Sequence, residues 1–501
     1  MSDLKKQTLK GIAFLGAGKS AGRILSFINT LILARILSPE DYGLMAMAMV
    51  ISGFISFFND IGLGSAIIQR KEVSKEQLSG AFYIALMISI FLYILTFFLS
   101  SSASDFYENP QVEPILQVIA IGFIFGAIKT VPNALLLKEM SFKSISGIEF
   151  ISIVVQCAVT LLLAYIGYGV WSLVYGLLVT QLFKAIAMMW LSGWLPDTNG
   201  SIKQATELMK FGLSVTYSRV TWYLYINSQI LVLGKVVGEK QTGIFSMAQT
   251  IADLPTAHIT NLIIQVASPL FAKLQDDFNA LNNALLKLTA GLSLISFPVL
   301  FGIIITANEL VPILLGDNWV AVAIPLQFLC VMGLFKSIDP LLTQALISIG
   351  RADITARYTT LCAIIIPCAV IYGATWNGIN GASLLLAVTY PFLMFALILI
   401  SSKYFSLPIK SYLNQMFTPI SGCFFMWASI YAIETIIPVF IKEVELYLLV
   451  IKVITGVISY GFWIVYIRKD GISIFKSVLF DLGVPENKLD RWPFNVSRSN
   501  A

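Results

Sequence analysis

Charge is what this sequence has least of. Charged residues make up 12% of its 501 positions, about half the roughly 25% found in soluble domains. That excludes a chain whose outside is covered by polar groups, because there are too few to cover it. Histidine is nearly absent, with His258 alone. The five cysteines, Cys157, Cys330, Cys362, Cys368 and Cys423, all fall in apolar blocks and form no CxxC pair. They read as small buried side chains rather than as a disulfide or metal framework. No phosphate-cradling glycine loop, nucleophile elbow or HExxH sequence is present, and no stretch between apolar blocks is long enough to fold into an extramembrane catalytic domain. The expectation is therefore no enzyme, no metal and no cofactor, and the modest net charge of +5 gives no sign of nucleic-acid binding.

What is present is apolar length. Hydrophobic residues reach 57%, mean hydropathy is +0.82, and the apolar runs are each close to the ~20 residues that cross a bilayer core. Hydropathy predicts fourteen spans, near 11–36, 42–68, 78–101, 113–137, 147–167, 169–193, 210–236, 242–267, 284–306, 320–348, 354–374, 379–401, 412–436 and 446–467. The runs are too long and too continuous for barrel strands. The fold class expected is thus an all-α polytopic membrane protein. The first run is interrupted by Lys19 and Arg23 and reads as a retained helix rather than a cleaved signal.

Loop charge orients the helices. One set of connections carries Lys5, Lys6 and Lys10; Arg70, Lys71 and Lys75; Lys138 and Lys143; Lys203 and Lys210; Lys273; Arg351; and Lys403 and Lys410, with Arg468 and Lys469 after the last span. The alternate connections hold Lys240 and Lys442 and little else. The positive-inside rule then puts both termini in the cytoplasm, which an even number of helices satisfies.

An internal repeat is visible at a shift of 200 residues. Leu33, Arg35, Gly43, Met47 and Ala48 align without gaps on Leu233, Lys235, Gly243, Met247 and Ala248, and Lys19 falls on Arg219. A shift of about 207 places Lys129 on Lys336, each followed within four residues by a proline, Pro132 and Pro340. A six-helix period keeps both copies in the same orientation, which gives two pseudo-symmetric six-helix lobes about an axis along the membrane normal. The domains expected are an N-terminal lobe at 1–200, a second lobe at 201–405, two further helices within 406–470, and a cytoplasmic tail at 471–501.

Ionisable side chains inside spans cost about 2.5 kcal/mol or more at mid-helix, so they face a cavity or a partner. Lys19 and Arg23 share one face of the first helix, Arg219 lies on the seventh, and Lys129 and Lys336 lie on the fourth and tenth. Together they predict a basic cavity suited to phosphate, diphosphate or carboxylate. Trp222, Tyr223 and Tyr225 are candidates to stack on sugar rings, although such a helix more often faces lipid or core. Other readings stand beside these: Lys19 can snorkel to the interface, and Lys336 has Asp339 at i+3 as an ion-pair partner. Asp253 and His258 are a candidate ion-coupling pair, with a helix kink around Pro255 as the alternative.

The run Ala34-Arg-Ile-Leu-Ser-Pro-Glu-Asp-Tyr-Gly-Leu-Met-Ala-Met-Ala48, followed by Phe-Asn-Asp-Ile-Gly-Leu-Gly-Ser-Ala-Ile-Ile-Gln69, resembles the N-terminal signature of Wzx-type polysaccharide exporters. These are lipid-linked oligosaccharide flippases of the multidrug/oligosaccharidyl-lipid/polysaccharide superfamily, and the likeness is strongest to the colanic acid and teichuronic acid exporters. The resemblance implies translocation of an undecaprenyl-diphosphate-linked oligosaccharide to the outer leaflet of a bacterial cell membrane by alternating access. It also implies membrane lipids as surroundings and a polysaccharide polymerase as a candidate partner. The family's expectation of basic groups in helices 1 and 7 is met by Lys19, Arg23 and Arg219. Two alternatives remain open: a multidrug or cation antiporter of the same superfamily, which would want buried acids in place of these cations, and a membrane polymerase or ligase, which would want a large external loop.

Overall fold

The computed structural model describes residues 21–59, 62–198, 202–436 and 445–467, and for 202–220, 258 and 445 the backbone alone. Among these residues the chain is helical, with no strand. The helices are α1 (Ala21–Ala34), α2 (Pro39–Gln69), α3 (Lys75–Tyr107), α4 (Val112–Lys138), α5 (Phe142–Tyr165) and α6 (Val170–Ser192). Two helical stretches of 54 residues follow the same logic of one chain direction reversed at a glycine. The first, Ile202–Pro255, breaks at Gly238 into α7 (202–237) and α8, which continues through a π-turn to Lys273. The second, Ala352–Phe405, breaks at Asn377 and Gly378 into α11 (352–376) and α12 (379–405). Between and beyond them lie α9 (Phe278–Leu315), α10 (Asp317–Ser348), α13 (Ile409–Ile436) and α14 (Leu446–Ile467). Ten of the helical stretches are long and apolar enough by themselves to cross a bilayer. This is a multi-pass membrane protein of about fourteen helices. Lys19 and the 471–501 tail lie outside the described residues.

The turns follow local chemistry. Gly238 (φ 78°) and Gly378 (φ 54°) adopt backbone angles that a side chain resists, which lets a reversal fit into one or two residues. The start of α3 is a capping box: Ser74 Oγ accepts from Gln77 N–H and Gln77 Oε1 accepts from Ser74 N–H. At α9, Asp277 accepts from the backbone N–H groups of Asn279 and Ala280.

By internal packing the chain divides into Met1–Ser246 and Met247–Ala501. In the first unit α4 is central, packed on α2, α3 and α6, while α5 packs on α6. In the second, α10 packs on α9 and on the α11–α12 stretch, and α9 also carries α13 and α14. Helix contacts use small polar residues. Ser89, Thr96, Ser152, Ser172, Ser293, Ser296, Ser337 and Ser383 are all buried. Most return their hydroxyl to a carbonyl three or four residues earlier, as Ser89 does to Ala85 and Thr96 to Leu92. A small side chain that satisfies itself lets helices approach closely where lipid supplies no hydrophobic drive. Large apolar groups instead point outward, among them Phe98, Trp190, Phe392 and Ile436, as a lipid-facing surface requires.

Candidate functional site

The signature block at 34–48 is built for architecture. Ser38 caps α2, accepting from Asp41 N–H, while Asp41 Oδ2 accepts from Ser38 N–H and Oγ–H at 2.9 Å each. Pro39 follows at the first helical position, where its missing N–H costs nothing. Tyr42 O–H donates to the Thr30 carbonyl of α1. Gly43 is required by contact: an added Cβ would overlap the Glu239 carbonyl oxygen, and one on Gly243 would overlap that of Pro39. The repeat's equivalent glycines thus sit backbone to backbone within the first unit. Polar links surround them: Lys240 to Glu40 at 3.1 Å, Lys235 to Glu108 at 2.7 Å, and Asn109 Nδ2 to Glu239 Oε2 at 3.1 Å.

The first unit contains a cavity of about 660 Å³. Its wall is formed by α2, α4, α5 and α6, in the half of the bundle that leads to the turns at 70–74 and 139–141. Four amide side chains in the wall, Asn59, Asn133, Gln156 and Gln181, join the hydroxyls of Ser52, Ser56, Ser65, Thr130 and Thr180. Two lysines, Lys129 of α4 and Lys184 of α6, are the formally charged groups among the described lining residues. Gly53, Gly64, Gly122 and Gly126 keep the wall open; a Cβ at Gly122 would press on the Gln181 amide. Asn59 is pinned, donating to the Phe123 carbonyl and accepting from Ser89 Oγ. Pro132 lies one turn after Lys129 inside α4. Lys184 is paired with Glu149 of α5, Nζ to Oε2 2.6 Å. Sequence reading placed Glu149 within a span but did not single out Lys184; a lysine in the middle of an apolar run was the available signal, and its partner is 35 residues away.

The other candidate residues fall in several places. Arg23 is exposed on α1 and is not in the cavity wall. Lys19 lies outside the described residues, and so does the side chain of Arg219. Trp222 is half exposed. Tyr223 is engaged in packing: its hydroxyl donates to the Val50 carbonyl at 2.7 Å, and its ring meets Phe57 edge-on. Tyr225 is half-buried on the same helix.

In the second unit Lys336 reaches both oxygens of Asp253, at 2.8 and 3.1 Å. Its salt bridge is therefore to α8 rather than to Asp339 three residues on. Asp339 is instead buried and accepts from Tyr390 O–H at 3.1 Å. Asp253 is committed to that lysine, and His258 stands in the π-turn Thr256–Thr260 with its side chain outside the described residues. A third charged cluster was missed by sequence reading. Lys452 of α14 meets Glu309 of α9 at 2.7 Å and Glu434 of α13 at 3.4 Å, and all three line a groove of about 500 Å³ together with Phe301, Phe424 and Trp427. Glu309 was assigned to a loop because hydropathy ended the span at 306, whereas the helix continues to Leu315. Among the described residues no group of histidines, cysteines and acids could hold a metal ion.

Comparison with known proteins follows this geometry. The family described as polysaccharide biosynthesis protein matches residues 32–324. The lipopolysaccharide biosynthesis protein WzxC of Escherichia coli (strain K12) is 26% identical over 76% of this chain and 78% of its own. The teichuronic acid biosynthesis protein TuaB of Bacillus subtilis (strain 168) is 23% identical over 71% of this chain and 74% of its own. Among solved structures, the lipid II flippase MurJ in an inward closed conformation superposes with a TM-score of 0.75, covering 91% of this chain and 99% of that one at 15% identity. At that identity the likeness is one of fold.

Proposed function

We infer, for a chain that belongs to the polysaccharide biosynthesis protein family, a flippase that moves an anionic lipid-linked oligosaccharide across the membrane. The cargo would be an undecaprenyl-diphosphate-linked glycan taken from the cytoplasmic leaflet to the outer leaflet of a bacterial cell membrane. The observation that carries this reading is the 660 Å³ cavity of the first unit, whose described lining offers two lysines, many amides and hydroxyls, and no acid. Such a wall replaces water around a diphosphate by ammonium groups and around sugars by amide and hydroxyl groups. The same composition argues against a cationic cargo. The names of the relatives, lipopolysaccharide and teichuronic acid biosynthesis proteins, support the same direction.

The reading uses two six-helix lobes, 1–200 and 201–405, that expose the site to each side in turn, with helices 13 and 14 appended. Both termini lie in the cytoplasm, and this orientation places the cavity in the cytoplasmic half. Arg23 and Arg219 would extend the basic path on helices 1 and 7. No bond is made or broken; a separate polymerase would consume the delivered glycan.

The test is a Lys129→Gln/Lys184→Gln double variant in cells that depend on this chain for surface polysaccharide. We expect polymer to fall at least about tenfold while membrane levels of the protein stay constant, because each lysine supplies a charge-assisted contact to the diphosphate. Wild-type polymer in that variant would overturn the cavity assignment.

A further inference from the structure

The cavity has a charge that it does not display in its wall. Lys184 Nζ is held 2.6 Å from Glu149 Oε2, and Glu149 itself is not among the lining residues. The two side chains are 20% and 33% exposed, so neither is sealed in the core, and Lys184 reaches the cavity wall. The pair is placed by the close packing of α5 on α6, and Ser152 Oγ, one turn along α5, bonds the Glu149 carbonyl rather than its carboxylate. Ser152 therefore does not hold the carboxylate, whose bond is the one to Lys184.

We propose that Glu149 is a resident counter-ion, which an incoming diphosphate displaces from Lys184 and which returns to expel it. This rests on the reading of the cavity as an anion site. A disubstituted diphosphate carries two negative charges. Lys184 would match one of them, but with Glu149 paired that lysine offers no net charge. Loading therefore exchanges one charge-assisted bond for another instead of adding one, which limits affinity. A carrier needs that limit: its site must bind well enough to load and weakly enough to empty. Among the described lining residues, the neutral Gln156 and Gln181 lie on the pair's own helices, α5 and α6, and the cation Lys129 lies on α4.

The experiment measures binding of a farnesyl-diphosphate-glucose diester to the purified full chain in detergent, by calorimetry. Glu149→Gln should bind at least about tenfold tighter than wild type, the effect of freeing one charged hydrogen-bond partner. In a Lys184→Gln background the same change should have no effect, and in proteoliposomes Glu149→Gln should flip the lipid more slowly despite binding it better. Glu149→Asp, one methylene shorter, should shift affinity the same way by less, and serves if the glutamine variant is not monodisperse. Equal or weaker binding by Glu149→Gln, with Lys184→Gln still impaired, would overturn the counter-ion and leave the cavity reading standing. Unchanged binding by Lys129→Gln and Lys184→Gln would overturn the cavity reading itself. If wild type binds too weakly to measure, measurable binding by Glu149→Gln supports the proposal and its absence refutes it.

Discussion

Lys452→Met isolates the energetics of a charge cluster inside an apolar bundle. The Lys452 side chain is 7% exposed, and its ammonium lies 2.7 Å from Glu309, whose side chain is 14% exposed, and 3.4 Å from Glu434, at 37%. Methionine matches the lysine stem in length and apolar character, so the packing of α14 on α9 and α13 is largely kept. What changes is that two carboxylates lose their cation. Glu434 turns to water more readily than Glu309, which is less exposed and has one oxygen that already lacks a hydrogen-bond partner. Removing one partner of a buried pair costs about 3–5 kcal/mol, most of it the charge left behind. Adding Glu309→Gln removes that charge, so the double variant should recover most of the loss. The coupling between the two changes should be about 3 kcal/mol, in the range measured for contacting residues in such cycles. Detergent-micelle unfolding of the four proteins in the cycle measures it. A single-variant cost under about 1 kcal/mol, the range of an exposed pair, would refute the claim that the Lys452–Glu309 pair behaves as a buried one. So would a double variant no better than the single.

Gly43→Ala and Gly243→Ala should each destabilise the first unit by about 1–3 kcal/mol, the usual cost of overpacking, because the new methyl meets a backbone carbonyl rather than a yielding side chain; unchanged thermal midpoints would refute the close approach. Glu108, outside the spans, is held below the usual carboxylate range by its hydrogen bond and charge pairing with Lys235. A lowered value means that its contribution is present above the ordinary carboxylate pKa and is lost as pH falls through the lowered one. The midpoint difference between wild type and Glu108→Gln should therefore shrink toward zero in acid and persist near neutrality. A difference that is the same at every pH would contradict the pair.

The signature block and the charged residues divide the chain's information differently. Ser38, Pro39, Asp41 and Gly43 could be read as a helix start because caps and turns depend on neighbours three or four residues apart. The structure adds that Tyr42 and Gly43 are spent on contacts to α1 and to the 239–243 segment, so the most recognisable stretch serves packing rather than cargo. Tyr223 illustrates the same limit: a tyrosine offered for sugar stacking has its hydroxyl on the Val50 carbonyl.

Sequence by itself determined the solvent, the number of crossings and the helical class, since each follows from the length and polarity of contiguous runs, which are one-dimensional properties. It also singled out Lys129 as a cation within a span, and the structure has that residue in the wall of a polar cavity. Only tertiary structure decided which charges meet. Lys184 found Glu149, Lys336 found Asp253 rather than Asp339, and Lys452 found Glu309 and Glu434. Apart from Lys452 with Glu434, which lie on consecutive helices, these partners stand 35, 83 and 143 residues apart. In an apolar medium each charge takes whichever counter-charge the helix packing brings within reach, and that packing is set by small-residue contacts whose partners no local pattern names.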